Sequence, residues 1–204
     1  MEFDIKASTW DNEKREDRAR IIAEEIITAI PINKKRNALE FGCGTGLVSF
    51  NLYEKLENIT LVDISKGMIE MLNFKIEKHK INNMKAYQMD INQGNFLLES
   101  NYDLIYTSMA LHHIIDTEIT LRNLYKLLKK DGYLCIIDLD EEDGSFHGEE
   151  KDFNGHNGFN QKSLRSLLLK IGFKEVEVNT FYNDEKIVKN INVKYSLFLM
   201  TGIK

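Results

Sequence analysis

The sequence predicts an α/β fold built on a parallel sheet with helices on both faces. Short apolar runs alternate with amphipathic segments along most of the chain, and strands that are apolar throughout need cover on both sides of their sheet. A turn with three glycines follows the first of these runs, as in folds that bind a ligand at the carboxyl ends of parallel strands. The 204 residues suffice for a full core, so we expect residues 1–204 to form a single domain.

The N-terminal stretch predicts a helix. Isoleucines recur at helical spacing between residues 11 and 30, and Pro31 follows them, so we expect an amphipathic helix that ends at the proline. We expect residues 1–31 to form a helical lid. The next elements are a strand at 37–41, a helix at 47–56, a strand at 60–64, a helix capped by Ser65, and strands at 84–89 and 102–108.

The second half of the chain continues the alternation and then changes character. Residues 140–160 are polar and acidic, and we interpret them as an inserted loop for the substrate. The other expected elements are a helix after Asp116 with Ile119, Leu121, Leu124, Leu127 and Leu128 facing inward, a turn at Asp131-Gly132, a strand at 133–139, a helix between Asn160 and Gly172, and strands at 173–182 and 193–202.

The glycine turn indicates which kind of cofactor is bound. Gly42, Gly44 and Gly46 stand at alternate positions, where a tight turn and a close ligand exclude a side chain. A dinucleotide loop of the G-x-G-x-x-G type requires a small residue where this chain has Leu47. Glu40 lies two residues before the first glycine. A carboxylate there is badly placed for a pyrophosphate and well placed for a cationic amine.

Two further strands end in an acid. Asp63 follows the apolar run at 60–62, where a carboxylate can accept hydrogen bonds from both hydroxyls of a ribose. Enzymes that use a nicotinamide cofactor share this feature, so it does not decide between cofactors. Ile64 and Met68 lie just past this acid, where an adenine ring would stack. Asp90 ends the third strand.

These motifs, in this order, resemble the class I S-adenosylmethionine-dependent methyltransferases. The closest type is the small-molecule group similar to the ubiquinone and menaquinone biosynthesis methyltransferases, with which the chain shares the run Ala110-Leu111-His112-His113. The resemblance implies a doubly wound, Rossmann-like, seven-stranded and mostly parallel sheet with an antiparallel last strand. It implies S-adenosylmethionine as the cofactor, S-adenosylhomocysteine as the product, and adenine contacts from Asp90 and Ile91. The expected cofactor site comprises Glu40, Gly42, Cys43, Gly44, Gly46, Asp63, Ile64, Met68, Asp90, Ile91, Ser108 and Trp10.

Histidines supply the candidate catalytic groups. His112 and His113 follow the fourth strand at the ligand edge of the sheet. A neutral imidazole there could take a proton from the substrate, or the pair could only shape the loop. His147 is a third candidate, as a base, a substrate contact or a metal ligand. It is nine positions from His156, which fits no compact metal motif, so we predict no metal site.

The acceptor of the methyl group is open at this stage. Acids of the 140–160 loop favour a cationic or amine acceptor if they face the site, whereas Phe146, Phe153 and Phe159 favour a flat or apolar one. Trp10 lies in the stretch that resembles the family's lid. Its ring either stabilises a sulfonium by cation-π attraction or packs against the first helix.

Composition excludes several classes of protein. A net charge of −5 lacks the basic field expected for nucleic-acid binding, so we expect a small-molecule acceptor. Two cysteines outside any metal or disulfide pattern, and no apolar stretch of spanning length, predict a cytoplasmic protein without a membrane span. The alternatives are a nicotinamide-dependent oxidoreductase and a non-catalytic cofactor-binding protein with a methyltransferase fold. The sequence does not predict an oligomeric state.

Overall fold

A single sheet forms the centre of the computed structural model, which describes residues 2–93, 101–150 and 153–204. Its strands are β1 (Asn37–Phe41), β2 (Asn58–Asp63), β3 (Met84–Gln88), β4 (Tyr102–Ser108), β5 (Leu128–Leu139), β6 (Lys174–Val188) and β7 (Ile191–Ile203). The α-helices in the described ranges are α1 (Glu2–Lys6), α2 (Glu13–Ala29), α3 (Lys66–Lys78), α4 (Thr117–Leu127) and α5 (Gln161–Ile171). Short 3-10 turns lie between several of these elements.

The strand order is β3-β2-β1-β4-β5-β7-β6. Strand β7 is antiparallel to both of its neighbours, β5 and β6, and the other described pairs are parallel. The connections from β1 to β2 and from β3 to β4 run to opposite sides of β1, which creates a switch point at its carboxyl end. The register sets Glu40 of β1 beside Leu61 of β2 and Tyr106 of β4. The predicted doubly wound sheet with an antiparallel last strand is confirmed.

Side chains cap the helices at the predicted positions. Ser65, Asp116 and Asn160 each accept a hydrogen bond from the backbone N–H three residues further on, at 3.0–3.3 Å. Gly172, with a φ of 124°, ends α5. Helix α2 begins after Asn12 and ends before the proline. These helices therefore follow from local capping chemistry.

The helix predicted at 47–56 is wrong, because this segment forms two 3-10 turns. The side-chain amide of Asn51 donates to the carbonyl of Leu47 at 2.9 Å. In an α-helix that carbonyl accepts the backbone N–H of Asn51, which here bonds to the carbonyl of Val48 instead. The glycine turn is therefore not followed by a regular α-helix.

The core lies on both faces of the sheet, with α2 and α3 packed on one face and α4 and α5 on the other. The inward face of α4 carries Leu121, Leu124 and Leu127. Ile119 was predicted to face inward, but its side chain is 49% exposed. It lies two positions before Leu121, and residues two positions apart face nearly opposite sides of an α-helix. Leu128, also predicted to be in this helix, begins β5. No helix in the described ranges has the length and apolar character needed to cross a bilayer.

Candidate functional site

The carboxyl ends of β1, β2 and β4 border a cavity of 180 Å³, which we call the cofactor pocket. It opens beside the glycine turn, at the switch point where open α/β sheets bind their ligands. Most of the predicted cofactor residues line it, namely Glu40, Gly42, Cys43, Gly44, Asp63, Ile64, Met68, Ser108 and Trp10.

The glycine turn leaves this pocket accessible to a ligand. Gly42, Gly44 and Gly46 have φ angles of 67°, 51° and 80°, a left-handed conformation that glycine adopts without strain. A Cβ added to Gly44 would meet Trp10 Nε1 at 3.8 Å and no nearer described atom outside its chain neighbours. The backbone at this glycine therefore faces open space, as an adenosyl cofactor requires.

Asp63 joins the glycine turn to the end of β2. Its Oδ2 accepts from the N–H of Gly44 and its Oδ1 from the N–H of Ser65, both at 2.8 Å. Burial raises the pKa of Asp63 above its ordinary value, and these two N–H donors counteract that effect. Each oxygen retains a further lone pair, so the carboxylate has the capacity for the ribose hydroxyls that the sequence assigns to it.

Glu40 is a buried acid, 2% exposed, at the end of β1. One of its oxygens accepts from Ser49 Oγ, which also lies 2.6 Å from Tyr106 Oη. Burial raises the pKa of Glu40 to about 8, and the nearby Asp63 adds to this effect. The carboxyl is therefore mostly protonated at pH 7 in the free protein, and a cationic amine would favour its ionised form.

We expect a cofactor that carries an amine to release about one proton when it binds at pH 7, because Glu40 changes from the acid to the carboxylate. Affinity rises with pH between about 6 and 8 as Glu40 ionises, and falls at higher pH as the ligand's own amine loses its positive charge. Calorimetric titration in two buffers of different protonation enthalpy measures the release. Glu40→Gln cannot ionise and corrects for the ligand's own amine. Equal release from both proteins would contradict the assignment.

Three predicted cofactor residues, Gly46, Asp90 and Ile91, do not line the cavity. A Cβ on Gly46 would lie 2.6 Å from a leucine side chain of α3, so this glycine permits close packing. Asp90 accepts from the N–H of Asn92 at 2.8 Å, and Ile91 is 1% exposed. Met89 lines the pocket beside them. The roles of these three residues stay predictions.

An N-terminal roof, which we define as residues 2–18, covers the pocket. Asp4 accepts from two donors at the start of α3, at 2.8 and 2.9 Å. Asp11 accepts from Thr45 of the glycine turn and, at 2.6 Å, from Lys75 Nζ. The roof is thus attached to the turn and to the helix that border the cofactor pocket.

A second cavity of 240 Å³ adjoins the first, and we call it the acceptor chamber. The 140–160 loop contributes Phe146 and His147 to its walls, and the β6–β7 hairpin contributes Lys186 and Tyr195. The residues common to both cavities are Phe3, Trp10, Arg15, Arg18, Met109 and His113. A molecule in the chamber would therefore lie next to the occupant of the cofactor pocket.

Basic side chains dominate the charge of the acceptor chamber. Arg18 Nη1 donates to Tyr195 Oη at 3.3 Å, and Lys186 Nζ lies 3.7 Å from the centre of the Phe146 ring. Burial lowers the pKa of Lys186, as expected for an ammonium among aromatic walls. An anion would stabilise these cations. The charged lining residues are Lys6, Lys14, Arg15, Arg18, Lys186 and Glu150.

Three imidazoles meet at one wall of the chamber. His112 Nδ1 lies 2.5 Å from Asp138 Oδ1, and these residues are 1% and 0% exposed. A carboxylate oxygen accepts, so Nδ1 is the donor in this contact, and the neutral form of the ring carries its lone pair on Nε2. The ring centres of His113 and His147 are 4.1 Å and 5.0 Å from that of His112. Burial, together with the neighbouring imidazoles and Lys186, lowers the pKa of His147 to about 3, so this ring is neutral at pH 7.

Other residues of the 140–160 loop serve the scaffold. His156 Nε2 bonds to the carbonyl of Ile114 at 2.9 Å, Asp140 accepts from a serine hydroxyl of β7 at 2.6 Å, and Phe159 packs in the core. Among the loop acids that the structure describes, Glu150 lines the chamber. Only this one of the described loop acids meets the condition under which the loop would favour an amine acceptor.

The fold and the site together define a class of protein. A glycine turn at the switch point of a doubly wound sheet, with a buried acid before it and a half-buried acid at the end of the next strand, is the arrangement of proteins that bind a nucleoside-containing cofactor. The family model described as "Methyltransferase domain" matches residues 32–189, so this chain belongs to the methyltransferase domain family. The resemblance stated from the motifs is confirmed, with S-adenosylmethionine as the cofactor. The match gives no support to a nicotinamide-dependent oxidoreductase.

Two curated methyltransferases are similar to this chain in sequence. An uncharacterized methyltransferase of Schizosaccharomyces pombe, C1347.09, is 28% identical over 179 residues, which cover 80% of this chain and 63% of that protein. The malonyl-(acyl-carrier protein) O-methyltransferase of Priestia megaterium is 31% identical over 139 residues, which cover 66% of this chain and 48% of that protein. The chain thus spans 63% of the length of the first relative and 48% of the length of the second.

Solved structures show the same fold. A SAM-dependent methyltransferase from Aquifex aeolicus has a TM-score of 0.71 at 17% identity, with 98% of both chains covered. Phosphoethanolamine N-methyltransferase 2 of Haemonchus contortus has a TM-score of 0.74 at 14% identity, with 92% of this chain and 53% of that chain covered.

Proposed function

We propose that this protein transfers a methyl group from S-adenosylmethionine to a small-molecule acceptor that carries an anionic group. One observation carries the proposal. The acceptor chamber shares a wall with the cofactor pocket, and its lining has five cationic side chains and one acidic side chain. One of these cations, Lys14, is already paired with Asp184 at 2.8 Å, so four cationic side chains face one acid. A cavity of 240 Å³ suits a small acceptor better than a segment of a macromolecule.

The cofactor pocket has the groups that its ligand needs. S-adenosylmethionine supplies, when bound, a methyl group on a sulfonium that is a good leaving group. Glu40 is assigned to its amine and Asp63 to its ribose, while Ile64 and Met68 form the apolar surface for the adenine. The roof excludes water from the space above them.

The residues that line the acceptor chamber have different proposed roles. Arg18 and Lys186 hold the anionic group, and the rings of Trp10 and Phe146 pack against the body of the acceptor. His113 stands where the two cavities meet, and His112 and His147 lie beside it in the chamber wall. We assign to this cluster the removal of the acceptor's proton. Alignment of the acceptor with the cofactor supplies most of the remaining rate enhancement.

Formation of S-adenosylhomocysteine tests this proposal. The acceptors are hydroxy acids, amino acids and phosphomonoesters, each paired with its neutral amide or ester. We expect turnover within the acid series and a kcat/KM that is about tenfold or more lower for the neutral partner. The reason is that the neutral partner lacks the charge-assisted hydrogen bonds that the half-buried Arg18 and Lys186 would donate to an anion. Equal turnover of acid and neutral partner would contradict the anionic acceptor. Cofactor binding without methylation of any acid would favour the non-catalytic alternative.

Lys186 offers a sharper test of the acceptor's charge. We expect Lys186→Gln to raise the KM for an acidic acceptor by about tenfold or more, with kcat within threefold and the Kd of S-adenosylmethionine unchanged. Lys194→Gln is the matched control, because this lysine is 85% exposed on the neighbouring strand. An unchanged KM in Lys186→Gln would remove this lysine from the acceptor site.

A further inference from the structure

The three histidines of the acceptor chamber form a cluster that sequence spacing does not connect. One nitrogen from each of His112, His113 and His147 lies within 4.8 Å of the other two. The first two stand on a 3-10 turn after β4, and the third comes from the loop after β5. The prediction of no metal site compared His147 with His156, whereas the fold brings His147 to the other pair.

His112 has the surroundings of a metal-binding imidazole. Its Nδ1 bonds to Asp138 Oδ1 at 2.5 Å. The same carboxylate accepts from the backbone N–H groups of His112 and Leu139, at 3.2 and 2.8 Å, so its position is fixed. Metal-ligating histidines have such a carboxylate behind them, because it orients the ring and directs the Nε2 lone pair at the ion.

His147 provides an independent observation that points to a ligand. The residue is 5% exposed, and its Nδ1 is buried without a hydrogen-bond partner among the described residues. The ring stacks on Phe153 with centres 3.8 Å apart and an angle of 5° between the planes, which holds its orientation. A buried polar atom without a partner is destabilising, and a bound ion would satisfy it.

We propose that His112, His113 and His147 bind one divalent transition-metal ion, of the class that prefers imidazole nitrogen, such as Zn²⁺ or Co²⁺. Three protein ligands are typical of catalytic sites that keep one coordination position open. All three side chains line the acceptor chamber, so the open position faces the acceptor. Nitrogens in a tetrahedral site are about 3.3 Å apart, so a bound ion would draw these nitrogens, now within 4.8 Å of one another, closer together.

This inference deepens the proposed function and rests on it for the role of the ion. With the ion bound, the coordinating nitrogens would no longer accept a proton themselves. The ion would instead lower the pKa of an acceptor hydroxyl at the open position, which would lose its proton to water more readily. The charge of the ion is offset by Asp138 behind His112, by Glu150 of the chamber wall and by the anionic group of the acceptor. Lys186 repels the ion but attracts the same anionic group. Because both cations attract that group, binding of the acceptor and binding of the ion are expected to be cooperative.

Metal titration of the free protein tests the site. Untagged protein is stripped with a chelator and titrated with Co²⁺ or Zn²⁺ alone, without cofactor or acceptor. We expect one ion per chain and the visible absorption of Co²⁺ in a low-coordinate site. His147→Gln weakens binding by about 100-fold or more, and Asp138→Asn by about 10- to 100-fold. His79→Ala removes an exposed histidine after α3 and binds as the unchanged protein does.

Two results would overturn the metal site: no saturable binding to the unchanged protein, or binding to His147→Gln within threefold of it. Circular dichroism and the Kd of S-adenosylmethionine show whether each variant is folded, since His147 does not line the cofactor pocket. The titration needs no methyl transfer, so an inactive protein that binds the ion contradicts the proposed function alone. Full-rate methylation by metal-free protein contradicts the role of the ion alone.

Discussion

Replacing Asp63 with alanine is expected to weaken S-adenosylmethionine binding by about 100-fold or more, because hydrogen bonds to a charged group contribute roughly 1.5–3 kcal/mol each. The substitution removes the acceptor assigned to the ribose. It also removes the acceptor of the N–H of Gly44, at 2.8 Å, that holds the glycine turn in place. Isothermal titration calorimetry with S-adenosylmethionine and S-adenosylhomocysteine measures the effect.

Asp143→Ala is the control for the loss of an acid, because this residue is exposed in the 140–160 loop. We expect it to bind both ligands as the unchanged protein does. Asp63→Asn keeps an oxygen acceptor without the charge and should bind with intermediate affinity. If Asp63→Ala changes the dissociation constant by less than fivefold, the ribose assignment is wrong.

Replacing Asp138 with asparagine is expected to lower kcat by about 100-fold or more, in the range that proton-transfer groups contribute. Asp138 touches no ligand itself; it acts as a positioning residue through its bond to His112 Nδ1. An asparagine amide can turn its N–H₂ toward the ring, which would move the lone pair from Nε2 to Nδ1. Nε2 would then carry a hydrogen, whereas a free lone pair is needed there to take a proton or to bind a metal ion.

The split between turnover and cofactor binding distinguishes this role from a structural one. Asp138 lies outside the lining of the cofactor pocket, so we expect the Kd of S-adenosylmethionine to stay within threefold. Asp143→Asn removes the same charge from the surface and should leave kcat unchanged. A loss of cofactor affinity as large as the loss of kcat would indicate that the substitution had disrupted the structure at the carboxyl ends of the strands.

The cofactor half of the site could be predicted because its signals are local. Gly42, Gly44 and Asp63 stand at the ends of adjacent parallel strands, and the topology of such sheets brings those ends together. The motif that identifies the turn is contained within eight residues. Burial of Glu40 also follows from its place at the end of a central, apolar strand.

The acceptor half could not be predicted because its residues meet only through the tertiary fold. Arg18 belongs to a helix that was interpreted through its isoleucines, and Lys186 to an edge strand, β6. Nothing in either segment indicates that the other faces it across one chamber. The contact of His147 with His112 could not be predicted for the same reason. The error at 47–56 is of another kind, because there one asparagine side chain competes with the helix backbone.

The functional part of this protein begins before the segment that matches the methyltransferase family, because the roof belongs to both ligand sites. The match to the methyltransferase domain starts at residue 32, after the roof and α2. Yet Phe3, Trp10, Arg15 and Arg18 stand in the walls of both cavities. A chain trimmed to residues 32–189 would keep the glycine turn but would lose one side of each ligand site. It would also lose β7, the strand between β5 and β6. Boundaries for expression, chimeras or fusion partners therefore have to be drawn from the cavities and not from the family match.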